Sequence, residues 1–280
     1  MKKTENTGRD AKRYPWQFLS GTNIKIAGIV LMTLDHLHQM FIAQGAPAWL
    51  NWFGRPVAAM FLFLCAEGFF YTRSRKRYML QFLGGFLFMA AMNQLLSLAM
   101  PMPNIVLINN IFGTLFMAVY YMWTIDRIRS GFRGKSPLRI ITGIGGFLLP
   151  FLLSLVMILA LQAGNWNIAR FFLFIPTPLS VEGGLVLILI GVSFYLLRRF
   201  RPAQIALLVV ISAFSWYSSR NTPGNVQWLM VFAIIPMILY NGKRGRGGKY
   251  FFYIFYPAHI YLLYCAAWFL RQGLVSLIGG

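Results

Sequence analysis

Long apolar runs separated by short, basic junctions make up most of this chain. The runs fall at about 25–44, 56–72, 78–99, 105–124, 138–162, 183–197, 203–217, 226–241 and 250–270. A helix that crosses a bilayer needs roughly 20 mostly apolar residues, within a range near 17–25. The pattern therefore predicts an all-α, polytopic transmembrane bundle of about nine helices. The sixth, seventh and eighth runs are short by this measure. They must extend into their flanks, thin the bilayer or be shielded by neighbours, and two of them can form one broken element. The longest connection, 163–182, has an apolar centre at 171–175 followed by Pro176 and Pro178. It suits a piece that lies on or dips into the membrane face. No internal repeat is evident.

Composition agrees with lipid as the main solvent. Of 280 residues, 58% are hydrophobic and only 11% are charged, where a soluble domain carries about 25% charged residues. Most soluble enzyme classes are excluded. The balance of 26 Lys+Arg against 6 Asp+Glu gives a net charge of +20, which in a soluble protein would suggest nucleic acid. Here the bases sit between apolar runs, the way orientation in a bilayer is encoded, so no nucleic-acid partner is expected.

On a nine-helix thread the bases alternate. Lys2, Lys3, Arg9, Lys12, Arg13 and Lys25 share one side with the clusters 73–77, 127–139, 198–201 and 243–249, leaving Arg55, Arg170, Arg220 and Arg271 on the other. Cytoplasmic loops collect Lys and Arg. The reading is N-terminus inside and C-terminus outside, in a bacterial inner or cytoplasmic membrane. Residues 1–23 read as a basic cytoplasmic tail, 24–272 as one transmembrane domain and 273–280 as a short outer tail. The first run carries charges at its centre and no small-residue cleavage site, so a cleaved signal peptide is not expected. Cys65 and Cys265 lie inside apolar runs, and no disulfide framework or metal site is expected.

An ionisable side chain at bilayer depth costs about 2.5–3.5 kcal/mol on insertion scales, which makes each one a functional candidate. Glu5, Asp10 and Asp126 fall in predicted cytoplasmic segments, but Asp35, Glu67 and Glu182 do not, and His36, His38 and His259 all fall in predicted helices. Lys25 and His36 are eleven residues apart. That is about 1100° of helical rotation, so they share a face about 16.5 Å apart along the axis. A basic residue at the inner end with an imidazole at mid-membrane suits a long anionic donor whose phosphates rest at the mouth while its reactive end reaches inward. Coenzyme A, with its pantetheine arm, meets that description.

Asp35 and His38 are three residues apart and can pair directly, which leaves His36 as the free base. The structural alternative is a polar knot that fixes helix packing, an even match to function for His38 and for His259, where Pro257 can free a carbonyl to be satisfied. Glu67 lies near Arg73 and Arg75, and a plain ion pair explains it as well as function does. Asn93, Gln94, Asn109, Asn110 and Thr114 read as packing. The basic clusters 73–77 and 243–249, the latter with Gly242, Gly245, Gly247 and Gly248, suit phosphates, though topology alone accounts for most of them.

Several stretches resemble the TraX family: Ile24-Lys25-Ile26 through Leu34-Asp35-His36, Gly54-Arg55-Pro56 through Glu67-Gly68-Phe69 to Tyr71-Thr72-Arg73, and Lys249-Tyr250-Phe251-Phe252-Tyr253 to Tyr256-Pro257-Ala258-His259. The family is named for a conjugation protein that acetylates the amino terminus of pilin. It is similar to a wider set of transmembrane acyltransferases in which a basic residue and a histidine eleven apart on the first helix mark the acetyl-CoA site. Lys25 and His36 match that pair. The chain departs from the family at Leu37-His38, where an apolar residue and glycine are usual, and at Gln81, where arginine is common.

The resemblance implies an acetyl-CoA-dependent acyltransferase acting on an amine or hydroxyl of a membrane or surface acceptor. His36 would be the general base and Asp35 its orienting partner. Lys25, Arg73 and Arg75 would neutralise coenzyme A phosphates, and Arg55 would counter Asp35 or grip the acceptor. Glu67, His38 and His259 would support the site. A proton-coupled transporter or flippase using the same groups, and a non-catalytic membrane scaffold, are the alternatives; the missing repeat counts against a transporter.

Overall fold

The computed structural model describes residues 14–102, 105–220, 222 and 224–278. Lys2, Lys3, Glu5, Arg9, Asp10, Lys12 and Arg13 lie outside the described residues, as does most of the predicted tail. Ten helices follow in order: α1 (Gly21–Phe41), α2 (Arg55–Tyr71), α3 (Arg75–Ala99), α4 (Ile111–Arg133), α5 (Pro137–Gln162), α6 (Trp166–Phe171), α7 (Gly184–Leu196), α8 (Arg201–Ser219), α9 (Ile234–Leu239) and α10 (Lys249–Ile278). Tighter 3-10 turns at Ile42–Gln44, Ala48–Gly54 and Gln227–Ala233 extend α1, α2 and α9. Among the described residues the extended pairing is confined to an isolated bridge between Leu19 and Tyr240. The protein is a polytopic helical bundle.

Local chemistry explains where the helices begin. The side chain of Ser20 accepts the amide of Asn23 at the start of α1, and that of Ser74 accepts the amide of Arg77 at the start of α3, satisfying donors that a helix start leaves free. Proline occupies the first turn of α2, α5 and α8, where its missing N–H costs nothing.

Each of the nine apolar runs folds as a helix, but they are not nine equal spans. Among the described residues six elements are long and apolar enough to cross a membrane: Gly21–Gln44, Ala48–Tyr71, Arg75–Ala99, Pro137–Gln162, Arg201–Ser219 and Tyr250–Gly273. Gly184–Leu196 and Gln227–Leu239 are shorter. The fourth run differs most from expectation. Its helix starts at Ile111 rather than 105 and continues through Asp126 to Arg133. Residues 105–110 carry no helix, because β-branched Ile105, Val106 and Ile108 follow Pro101 and the pair Asn109-Asn110 bonds sideways to other elements instead of propagating a helix. Unwound backbone at this depth is tolerated only where protein surrounds it. Protein covers Leu107 and Asn110 there, while Val106 and Ile108 turn outward.

α2, α4 and α7 form the centre. α4 packs against α2, α3, α5 and α7, and α2 packs against α1 and α7. Lipid gives no hydrophobic drive for helix association, so close packing through small residues matters more. A Cβ on Gly191 would stand 2.8 Å from a methyl of Leu62 and 3.1 Å from Cβ of Ala118. Gly85 receives the ring of Phe112, and Gly113 that of Phe86. The outer faces are apolar, most clearly on α5, where Leu148, Leu152, Leu155 and Leu159 are exposed.

Contacts gather the basic clusters at one end of the bundle. The amides of Gly21 and Thr22 donate to the carbonyls of Lys243 and Arg244 at 2.9 and 3.0 Å. Arg75 pairs with Asp126 at 2.6 Å, the Tyr195 hydroxyl donates to the same carboxylate at 2.6 Å, and Arg127 donates to Thr142 at 2.8 Å. We call this the basic end. Arg55 lies at the opposite end, where it donates to Gln227. Within 163–182, α6 and the following turn expose Trp166, Phe171, Leu173 and Phe174 but bury Phe172, so the segment is anchored by one ring. α10 runs on through 273–278 of the predicted tail.

Gly191→Val should force apart α7, α2 and α4 and lower stability by about 1–3 kcal/mol. Reversible unfolding in detergent measures it, and an unchanged midpoint would contradict the close approach.

Candidate functional site

The site grows from two imidazoles on different helices. His36 on α1 and His259 on α10 are both buried, and Nδ1 of His36 lies 2.8 Å from Nε2 of His259. Nδ1 of His259 lies 2.8 Å from the carbonyl oxygen of Phe255, which can only accept. For neutral rings this fixes every proton. His259 carries its hydrogen on Nδ1, His36 donates from Nδ1 to Nε2 of His259, and Nε2 of His36 holds a lone pair. That lone pair accepts from the Asn109 amide at 3.2 Å. The second amide hydrogen of Asn109 goes to Gln39 at 3.0 Å, and Gln39 returns a hydrogen to the Asn109 oxygen, also at 3.0 Å. The network closes.

This corrects the expectation of a free base. His36 is partnered at both nitrogens, and its basic nitrogen faces Asn109, a residue that reads in sequence as packing. The carbonyl that His259 takes is that of Phe255, four residues earlier. The one freed by Pro257 belongs to Tyr253. Asn93, Asn110 and Thr114 do pack: Asn93 bonds Tyr261, Asn110 bonds the carbonyl of Phe86, and Thr114 bonds the carbonyl of Glu182.

The carboxylates flank the pair. Asp35 accepts from Arg55 at 3.2 Å, and the same guanidinium donates to the side chain and carbonyl of Asn51 and to Gln227. The expected Asp35–His38 pair does not form. His38 instead bonds the carbonyl of Ala46 at 3.2 Å. The helical spacing considers only α1, whereas the turn Ala48–Gly54 brings a permanent cation to Asp35, and a full charge outcompetes an imidazole in a poorly solvated site. Gly54 leaves the room for this, since a Cβ there would overlap the carboxyl of Asp35. Glu182, which sequence reasoning noted but gave no role, accepts the amide of Asn110 at 2.8 Å. Gly183, at φ +70°, makes the turn that aims it inward.

Two cavities meet here. The larger, about 750 Å³, extends from the basic end, where Gln17, Lys25, Arg201, Tyr240 and Arg244 line it, to a wall of Met32, Phe61, Ile111 and Tyr256. The smaller, about 40 Å³, shares that wall and is lined beyond it by Asp35, His36 and Glu182. Lys25 lies over the ring of Phe252 at 5.2 Å. Glu67 lines the large cavity with Arg201 instead of pairing with Arg73 or Arg75. Those two arginines do not line it. Arg75 is held by Asp126 and stacks on Phe69 at 4.7 Å, and Arg73 is exposed. Arg201 and Arg244, not Arg73 and Arg75, line the large cavity with Lys25. No group of three His, Cys, Asp or Glu side chains suited to a metal occurs among the described residues.

The family model described as TraX protein matches residues 20–267. The chain belongs to the TraX family. This TraX chain is also 27% identical over 272 residues to the probable fimbrial assembly protein FimC, serogroup H1, of Dichelobacter nodosus, a match that covers 90% of the chain and 97% of the relative. No solved structure matches it. TraX membership and six membrane-length apolar helices together identify a membrane protein.

In this TraX protein, Arg55→Gln should leave Asp35 without its cation and lower stability by roughly 1–3 kcal/mol. Adding Asp35→Asn should recover part of the loss. Unfolding midpoints of the single and double variants measure the coupling, and additive losses would contradict a direct pair.

Proposed function

We propose that this TraX-family protein is a membrane acetyltransferase that takes acetyl-CoA from the cytoplasm and transfers the acetyl group to an amine or hydroxyl of a membrane or surface acceptor. The observation that carries this reading is the large cavity, which runs along α1 from Lys25 to the wall below His36. The basic end would face the cytoplasm of a bacterial inner membrane. Phosphates of coenzyme A would rest among Lys25, Arg201 and Arg244, charges matched to anionic oxygens. The arm would follow α1, where Lys25 and His36 stand about 16.5 Å apart along one stripe.

His36 supplies the base. The acceptor's N–H or O–H takes the place at Nε2 that the Asn109 amide holds, and His36 removes that proton as the acceptor attacks the acyl carbon. The C–S bond then breaks, and the proton passes to the departing thiolate. His259 accepts the Nδ1–H of His36 throughout and keeps the ring in the required tautomer. Asp35 and Glu182, on the same small cavity, favour the imidazolium that forms. General-base catalysis of this kind contributes about 10²–10⁴-fold in rate. The 27%-identical relative is named a fimbrial assembly protein, which agrees with a surface acceptor. A transporter or flippase would use the same ionisable groups as a relay, but it has no need of coenzyme A.

His36→Ala should reduce transfer from labelled acetyl-CoA at least about 10²-fold while leaving the protein folded in membranes. Normal activity in that variant would eliminate the mechanism. Coenzyme A should raise the melting temperature of the wild type, and Lys25→Ala and Arg201→Ala should each weaken its binding about tenfold, with Arg73→Ala near wild type. Equal losses in Arg73→Ala would move the donor out of the cavity.

A further inference from the structure

We infer that the hydroxyl of Tyr256 donates the hydrogen bond that stabilises the acyl carbonyl oxygen during transfer, a role that rests on the acetyltransferase reading. Met32, Phe61, Ile111 and Tyr256 form the wall between the two cavities, and Tyr256 carries the one polar side chain in it. The residue is only 6% exposed. Its oxygen accepts the amide of Ile111 at 3.1 Å, and its own proton makes no hydrogen bond among the described residues. Buried hydroxyls normally use their donor. An unused one facing a cavity is a group reserved for a ligand acceptor.

The setting strengthens that donor. Ile111 opens α4, a helix of 23 residues, and first-turn amides have no acceptor within their own helix. They also carry the positive end of the helix dipole. An oxygen bonded there has its own O–H polarised, as hydrogen bonds in series reinforce one another. The ring is fixed edge-on by Phe112 at 5.1 Å and by the His259 ring at 5.8 Å. Tyr256 precedes His259 by three residues, so both lie on one face of α10 with the hydroxyl-bearing residue nearer the basic end. A thioester arriving along the large cavity meets Tyr256 before it meets the imidazole pair.

The chemistry balances without a further reactant. The acceptor's lone pair forms a bond to the acyl carbon, and the carbonyl π pair moves to oxygen, where the Tyr256 O–H holds it. Collapse of the tetrahedral species restores the carbonyl and breaks C–S. The proton that His36 took from the acceptor goes to the thiolate, and Tyr256 keeps its own proton throughout. Nothing is oxidised or reduced. Preorganised donors of this type act where charge develops, so they affect kcat more than ground-state binding.

The test uses the full-length protein in lipid nanodiscs. Tyr256→Phe keeps the ring and should reduce kcat for acetyl transfer about 10²–10³-fold, with KM for acetyl-CoA changed less than about threefold. Infrared spectra with acetyl-CoA labelled with ¹³C at the acyl carbonyl provide a second readout. The bound carbonyl band should lie lower in the wild type than in Tyr256→Phe, and lower than the same thioester in an apolar solvent. The solvent comparison needs no variant and stands even if Tyr256→Phe fails to fold. A variant kcat within threefold of wild type, or a wild-type band no lower than in apolar solvent, overturns the role of Tyr256. If the wild type transfers acetyl in those same samples, the acetyltransferase reading survives that result. If the wild type neither binds nor transfers from acetyl-CoA, the broader reading falls and this role with it.

Discussion

Two imidazoles can face each other inside lipid only if each ring nitrogen has a partner, because an unsatisfied polar group there costs several kcal/mol. That requirement organises the middle of this protein. His36 and His259 bond one another at 2.8 Å, which brings α1 against α10. The far nitrogen of His259 uses a carbonyl of its own helix, and the far nitrogen of His36 draws in Asn109 from the unwound stretch before α4. The late start of α4 follows from this arrangement. A helix begun at 105 would commit Asn109 to a rotational position set by its neighbours, whereas the unwound chain can reach both His36 and Gln39.

The start of α4 then does a second task. Its leading amides have no partners within the helix, and Asn110 and Ile111 are buried away from water. Glu182 accepts the amide of Asn110 and Tyr256 accepts that of Ile111. One carboxylate and one phenol thereby line the space beside the imidazole pair, held by the backbone rather than by one another. Asp35 completes the ring of polar groups under the hold of Arg55. The hydrogen bonds that stabilise the centre also hold the groups of the proposed site, so substitutions at Asn109, Glu182 or Tyr256 would affect both.

Much of this was legible in the sequence where a single helix carries the information. The nine runs, the alternating basic junctions and the shared stripe of Lys25 and His36 depend only on apolar length, charge and 3.6-residue periodicity. What escaped depends on contacts between elements. Helical spacing pairs Asp35 with His38 because they are neighbours on one helix, but its cation arrives from α2. The cluster at 73–77 reports which side of the membrane a loop occupies and not which way its side chains point, and Asp126 draws Arg75 towards α4. Arg201 belongs to a cluster that reads as topology and Arg244 to one that also suits phosphates, and only the packed bundle makes both the lining of one cavity. Tyr256 lies in an aromatic stretch that gives no hint of an unspent hydroxyl proton.

The central claim is that a donor threads along α1 between a basic mouth and a buried imidazole. A cryo-EM structure of the protein bound to a thioether analogue of acetyl-CoA, which has the same arm but cannot transfer its acyl group, tests it most directly. The account predicts phosphates among Lys25, Arg201 and Arg244, with the analogue's terminal atoms at the wall of Met32 and Tyr256 below His36. An analogue seated on the exposed 73–77 segment, or lipid chains filling the large cavity while the analogue lies elsewhere, would contradict it.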